Sequence, residues 1–381
     1  METVRRAAKL HERAMVVDGH NDLAWRLRTK AGSSFEVFDL AVRHEEGHTD
    51  IPRLREGGVN AQFFAAYVPS DYEGRCAARV ALEQIDLIRR MVARYSDFEL
   101  ALGAEDVRRI ARSGKIAALI GIEGGQTIEN SLAVLRMFYE LGARYMTFTH
   151  IDSTDWADAA TDEPRHGGLS EFGEEVVREM NRLGMLADIS HVSAEAMADT
   201  LRVSEAPVVA THSGARAVNG HSRNVPDEVL RQVQESGGVV MVNFFSGFVV
   251  PEAAEVVSHL FGAYRELRAQ HGGDEAALEG AWRRLSEEHP IPRGTVADLV
   301  DHIDHIVQVA GIDHVGLGSD FDGIEVAPEG LEDVSKFPAV TAELVGRGYS
   351  DRDIEKILGG NILRAMEGAE ETALRLAAAA P

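Results

Sequence analysis

A regular alternation constrains this chain more than any single residue does. Short apolar, β-branched runs recur between stretches with apolar residues at helical spacing, and this continues through most of the sequence. Met15, Val59, Ile116, Tyr145, Met185, Val208, Val239 and Val315 mark the apolar runs. Between them lie helical patterns such as Leu132–Tyr139, Glu174–Leu183, Ala194–Thr200, Asp227–Gln234 and Asp298–Ala310. Antiparallel strands need only a tight turn between them, whereas a helix between successive strands is the signature of parallel βαβ units. The marker count equals the strand number of a (β/α)8 TIM-type barrel. A doubly wound open sheet is the weaker alternative, because no Gly-x-Gly-x-x-Gly turn follows the first strand.

Two segments interrupt the alternation. Residues 250–293 form a mostly helical excursion after the seventh expected strand, read as an insertion on the active face or a subunit contact. Residues 325–340 read as a loop before a final helical region. No linker-like tract or internal repeat divides the chain, so residues 1–381 are expected to form one domain.

Composition narrows the partners. Asp and Glu outnumber Lys and Arg by 62 to 39, for a formal net charge of −23. Nucleic acid and anionic membranes both require a basic face, so neither is an expected partner. The single cysteine, Cys76, excludes an internal disulfide framework and a thiolate-cluster zinc site. The N-terminal residues carry no apolar signal core, the C-terminus no anchor signal, and no run approaches bilayer length. The expected location is the cytoplasm.

In a barrel of this kind chemistry gathers at the carboxyl ends of the strands. Polar residues fall there repeatedly: His20 and Asp22, Glu123, His150, Asp188 and His191, His212, and Asp320. One strand-end histidine is usually satisfied by a backbone carbonyl, but six such ends with metal-type side chains point to a metal site. The set is too large for one tetrahedral ion. His191 and His212 are assigned to one ion, His20 and Asp22 to the other, and Glu123 to a bridge between them. A water shared by two ions ionises near neutral pH and can attack a carbonyl that the ions also clamp. Asp320 is left to move the proton to a leaving amine, and is also a candidate ligand of the first metal. His302 and His305 have a spacing that can hold metal, but they lie mid-helix on the outside of the barrel, where packing is the expected role. Asp322 is read as pocket lining or a turn cap.

Taken together, these motifs resemble the renal-type (membrane) dipeptidases, zinc peptidases among the amidohydrolase-like barrels. The resemblance rests on Asp18-Gly-His-Asn-Asp22, Ile122-Glu-Gly-Gly125, Thr149-His150, Asp188-Ile-Ser-His191, Thr211-His-Ser213, Ser222-Arg-Asn-Val-Pro-Asp227 and Gly318-Ser-Asp-Phe-Asp-Gly323, and it spans nearly the whole chain. It implies two zinc ions held as above. It also implies that His150 binds the substrate carbonyl oxygen, that Arg223 pairs with the free carboxylate of a dipeptide, and that Asp320 shuttles the proton. Dipeptides with L- or D-configured C-terminal residues, and a homodimer, are further implications. From the residues alone, Arg223 reads as a surface arginine. The chain departs from the family pattern after Val242-Asn243, where Phe244-Phe245-Ser-Gly-Phe248 has no tyrosine, and in the length of the 250–293 excursion. The alternative reaction is that of another binuclear amidohydrolase on a non-peptide or cyclic amide. A zinc-stabilised non-enzyme is the rival from outside catalysis.

Overall fold

The computed structural model describes residues 2–271 and 275–379. Nine parallel strands form its sheet: β1 (Val16–Asp18), β2 (Val59–Tyr67), β3 (Phe98–Leu100), β4 (Ile116–Glu123), β5 (Ala143–Thr147), β6 (Leu186–Asp188), β7 (Val209–Ala210), β8 (Val239–Val242) and β9 (Val315–Leu317). Pairing of β1 with both β2 and β9, and of β2 with β4, closes eight of them into a ring. These eight are the ones marked in the sequence, and the fold is an α/β barrel of the TIM type. β3 is additional. It pairs with Ile116–Ala118 at the start of β4, below the point where β5 joins at Ile120. This segment was not read as a strand from the sequence. The short helices Leu23–Ala31 and Ala104–Arg112 were likewise absent from the sequence reading.

The strand side chains separate into two apolar layers, as an alternating pleat requires. Val17, Ala61, Phe63, Ala117, Leu119, Tyr145, Val209, Val239 and Met241 share one cluster with Ile362 and Met366 of the C-terminal helix Asn361–Ala379. Their strand neighbours Val16, Phe64, Ala118, Ile120, Met146, Val240 and Val242 belong to the other cluster, with residues of the surrounding helices. The first set fills the barrel. Continuing its parity upward places Tyr67, Glu123, Thr147, Asp188, Thr211 and Asn243 on the inward face, at the carboxyl-end mouth.

One large residue spans the filling. Tyr145 is fully buried, and its ring lies where a Cβ on Gly121 would stand, 2.0 Å from Cζ. The glycine in β4 therefore makes room for the ring, whose hydroxyl reaches 2.7 Å from Nδ1 of His20.

The excursion after β8, the seventh strand of the ring, is helical as expected, with helices Ala254–His271 and Glu275–Glu288. It bends back over the barrel mouth. Tyr264 and Trp282, one from each helix, meet edge to face at 5.1 Å. Arg268 pairs with Asp152 at 2.9 Å and with Asp71, while Arg265 donates to the Ile151 carbonyl at 3.2 Å. These contacts fasten the first helix to the loops after β2 and β5. The packing role read for the two outer histidines also holds. His302 is buried between the amide of Ala215 and the carbonyl of Val249, and His305 pairs with Asp227 at 2.7 Å.

Gly121→Ala should force the Tyr145 ring from its place. The expected cost is the ~1–3 kcal/mol typical of overpacking a filled core, read as a lower urea midpoint with an unchanged slope. A midpoint equal to that of the parent would contradict this account of the barrel filling.

Candidate metal centre and active-site cavity

The six residues assigned to metals from the sequence converge at the mouth of the barrel. Nε2 of His20 lies 3.3 Å from Asp22 Oδ2 and 3.3 Å from Glu123 Oε2. The other oxygen of Glu123 lies 3.1 Å from Nε2 of His191 and 3.5 Å from Nε2 of His212. Glu123 thus faces one histidine–aspartate pair with one oxygen and the two-histidine pair with the other. Donor atoms of His20, Asp22 and Glu123, and of His20, His212 and Asp320, each lie within 4.8 Å of one another. A third such group is Glu123, His150 and His191, so His150 also stands at the cluster.

Charge and hydrogen bonding leave these residues ready for a cation. Three carboxylates, those of Asp22, Glu123 and Asp320, are packed together at the floor of a cavity, the first two buried and the third partly buried. Burial drives the Asp320 carboxyl up to about 8; His20 pulls against this, and Asp22 and Glu123 add to it. Burial holds His191 and His212 well below the ordinary imidazole range, so both are neutral, the form that ligates metal. Nε2 of His20, Oδ1 of Asp22 and Nδ1 of His191 are buried without a hydrogen-bond partner. Buried polar atoms are normally satisfied. His20 Nε2 and the Asp22 carboxylate stand within the His20–Asp22–Glu123 group, and an oxygen- and nitrogen-binding divalent ion suits this donor set.

The inward layer beneath fixes the imidazoles. Asp188 accepts from Thr211 Oγ1 at 2.6 Å and from Thr147 Oγ1 at 2.5 Å. The Thr211 hydroxyl has given its hydrogen to Asp188, so at 2.9 Å it can only accept from Nδ1–H of His212. That leaves Nε2 of His212 as a lone pair toward the cluster. Tyr145 Oη lies 2.7 Å from Nδ1 of His20, which turns its Nε2 toward the cluster. Asp18 takes the Ser319 amide at 2.7 Å, the Ser319 hydroxyl at 2.6 Å and Gln62 at 2.9 Å, which locks the β1 and β9 ends together. Asp320 N donates to the His20 carbonyl, and Asp22 N to that of Phe321. Both Asp320 and His191 adopt left-handed backbone, at φ 63° and 68°. This is uncommon for residues with a side chain and is typical of functional sites.

A cavity of about 450 Å³ opens above the cluster. Arg223 reaches it from the loop before the helix Asp227–Ser236. It is not a surface arginine, as the residues alone suggested. The side chain is 1% exposed and lies 5.2 Å above the Phe248 ring. Its partners among the described residues are the Ser213 hydroxyl and the His212 carbonyl, both at 3.2 Å, and Nε has none. Burial lowers its pKa to about 10, which still leaves it charged at neutral pH. The position after β8 without a tyrosine is filled by Phe245 and Phe248, and Tyr264 of the insertion brings a hydroxyl into the same cavity. Asp322 also lines the cavity wall and accepts the amide of His48 at 2.8 Å.

Two residues at the mouth were missed from the sequence. Tyr67 ends β2, with its hydroxyl 3.3 Å from Nδ1 of His150. Asn243 follows β8 and donates to Asp320 Oδ2 at 2.8 Å. The same strand-end rule that found the ligands would have found both, had it been applied to uncharged side chains.

A parallel barrel with a His/Asp/Glu donor cluster at the carboxyl ends of its strands belongs among the metal-site α/β barrels. More narrowly, the chain belongs to the membrane dipeptidase family, peptidase family M19, whose model matches residues 4–380. Dipeptidase 3 of Mus musculus is 40% identical over 361 residues, covering 93% of this chain and 64% of that protein. The chain therefore spans a little under two thirds of that relative. Among solved structures, a probable dipeptidase, PvdM, from Pseudomonas aeruginosa superposes with a TM-score of 0.83 at 28% identity, covering 98% of this chain and 99% of that one. A metallopeptidase from Rhodobacter sphaeroides, liganded with a phosphinate mimic of the dipeptide L-Ala-D-Ala, gives 0.75 at 27% identity, over 93% and 99%.

Thr211→Val removes the hydroxyl between Asp188 and His212 while keeping the side chain's shape. Loss of such an outer partner typically costs about 10–100-fold in metal affinity. Competition with a chromogenic chelator should read that loss for one class of site. Unchanged affinity at every site would remove Thr211 from the support of His212.

Proposed function

We propose that this chain is a binuclear zinc dipeptidase that cleaves dipeptides with a free C-terminal carboxylate, including those with a D-configured C-terminal residue. One observation carries the reading: a buried, charged guanidinium, hydrogen-bonded only to neutral groups and with Nε unpartnered, shares one cavity with the donor cluster. An uncompensated buried charge is costly. The carboxylate of a short substrate would compensate it, and a planar guanidinium suits that group in a two-pronged fashion. A substrate held there must end soon after the bond that reacts, which accounts for cleavage of dipeptides rather than longer chains. The relative that binds a mimic of L-Ala-D-Ala supports the D-configured end.

In this reading His20 and Asp22 hold one zinc, His191 and His212 the other, and Glu123 joins them. Bound there, the ions would supply an ionised water and polarise the scissile carbonyl. The chain's own groups do the rest. His150, kept neutral by burial, donates to the carbonyl oxygen as negative charge develops on it. Asp320 takes the proton from the attacking water and delivers it to the leaving nitrogen as the C–N bond breaks. The Asn243 amide occupies Oδ2, so Oδ1 is the atom that carries this proton. A carboxyl that burial has already shifted toward neutral pH suits that exchange.

Elemental analysis of the purified chain should find two zinc ions per chain, and chelation should abolish dipeptide cleavage; a count of one would remove the Glu123 bridge. Asp320→Asn is expected to lower kcat by about 10²–10⁴-fold, the usual worth of a proton-transfer group. An active variant would exclude Asp320 from the proton path.

Amidating the C-terminus of a dipeptide, or replacing Arg223 with Ala, should each cost kcat/KM about 100-fold or more, since a charge-assisted pair is lost. The two losses should not add. Equal cleavage of free and amidated dipeptides by the parent would refute the carboxylate role.

A further inference from the structure

Tyr67 is used neither by the ligand set nor by the substrate contacts above. It ends β2, in register with Glu123 of β4, and its ring lines the cavity. Trp25, from the helix Leu23–Ala31, packs edge-on against it at 5.2 Å. On the other side the ring stands edge-on to His150 at 4.7 Å, and the hydroxyl meets His150 Nδ1. That hydroxyl is the hydrogen-bond partner of the His150 ring among the described residues, and Nε2 is left open to the cavity.

A neutral imidazole carries its hydrogen on one nitrogen and a lone pair on the other, and the partner of one nitrogen decides the state of the other. Were the hydrogen on Nδ1, Nε2 would present a lone pair to a carbonyl oxygen, which repels it. Were it on Nε2, the ring could donate to that oxygen, provided something donates to Nδ1. The Tyr67 phenol is the available donor. Burial, with Glu123 nearby, holds it well above its ordinary pKa, so it keeps its hydrogen.

We propose that Tyr67 is a positioning residue: its hydroxyl donates to Nδ1 of His150 and so selects the tautomer whose Nε2–H faces the substrate's carbonyl oxygen. The inference rests on the reading of His150 as the carbonyl-binding residue. Trp25 and the Glu123 backbone register keep the phenol in place, so the tautomer is set before substrate arrives.

The test uses the full chain, loaded with zinc and labelled with ¹⁵N-histidine, with His150→Asn to assign the ring signals. Long-range proton–nitrogen correlation should show an unprotonated Nδ1 and a protonated Nε2 on His150. In Tyr67→Phe the Nδ1-protonated form should become substantial. A parent ring protonated on Nδ1, or a pattern unmoved by Tyr67→Phe, overturns the proposal.

Kinetics provide the second reading. Tyr67→Phe should lower kcat for a dipeptide about 10-fold or more with KM within about 2-fold, because the donor acts on the transition state. In the His150→Asn background the same change should cost nothing further. Equal costs in both backgrounds, or loss of zinc from Tyr67→Phe, would mark an independent or merely structural role and overturn the proposal. The tautomer is read without turnover. A chain with the expected ring signals but no dipeptide cleavage would uphold this inference and fault the proposed reaction.

Discussion

The site depends on keeping three carboxylates close together out of water. Isolated, each would protonate or turn outward, since burying an uncompensated charge costs more than the fold can spare. The barrel prevents the second escape: Glu123 sits on the inward parity of β4, and Asp22 and Asp320 on loops tied to one another by backbone hydrogen bonds at the β1–β9 seam. The first escape is visible in the raised carboxyl of Asp320. Only cations resolve the conflict. The neutral imidazoles of His191 and His212 and the unpartnered atoms of His20 and Asp22 are arranged around that need.

A layer of ordinary hydrogen bonds below makes the arrangement rigid. Asp188 with Thr147 and Thr211, Asp18 with Ser319 and Gln62, and Tyr145 beside Gly121 all sit one step further inside the barrel. They hold no substrate. Two of them reach an imidazole, Thr211 at Nδ1 of His212 and Tyr145 at Nδ1 of His20. Tyr67 reaches Nδ1 of His150 likewise, so a hydroxyl stands at Nδ1 of three of the four mouth histidines.

The sequence was legible where the physics is periodic or local. Short apolar runs between helical patterns located all eight ring strands, and the strand-end rule brought His20, Asp22, Glu123, His150, His191, His212 and Asp320 to one mouth. It failed where a signal needs length or a partner. Phe98–Leu100 is a strand only because β4 begins before β5 does. Arg223 looked exposed because burial of a loop arginine is decided by Phe248 and Ser213, distant in sequence. Tyr67 and Asn243 were passed over because neither carries a charge near neutral pH, although each meets an atom of a residue already singled out.

The insertion separates chemistry from selectivity. The donor cluster, with Asp320 and His150, comes from strand ends, and under the proposed reaction a change in any of them would alter the chemistry. The cavity wall opposite comes from Tyr264, Phe261 and Trp282 of residues 254–288, together with Phe245 and Phe248. This wall is largely aromatic, and Arg265 and Arg268 of its first helix fasten it to Ile151, Asp152 and Asp71 in the loops after β5 and β2. Tyr264 of the insertion lines the same cavity as Phe245 and Phe248, so a residue distant in the chain shares the wall with the segment after β8.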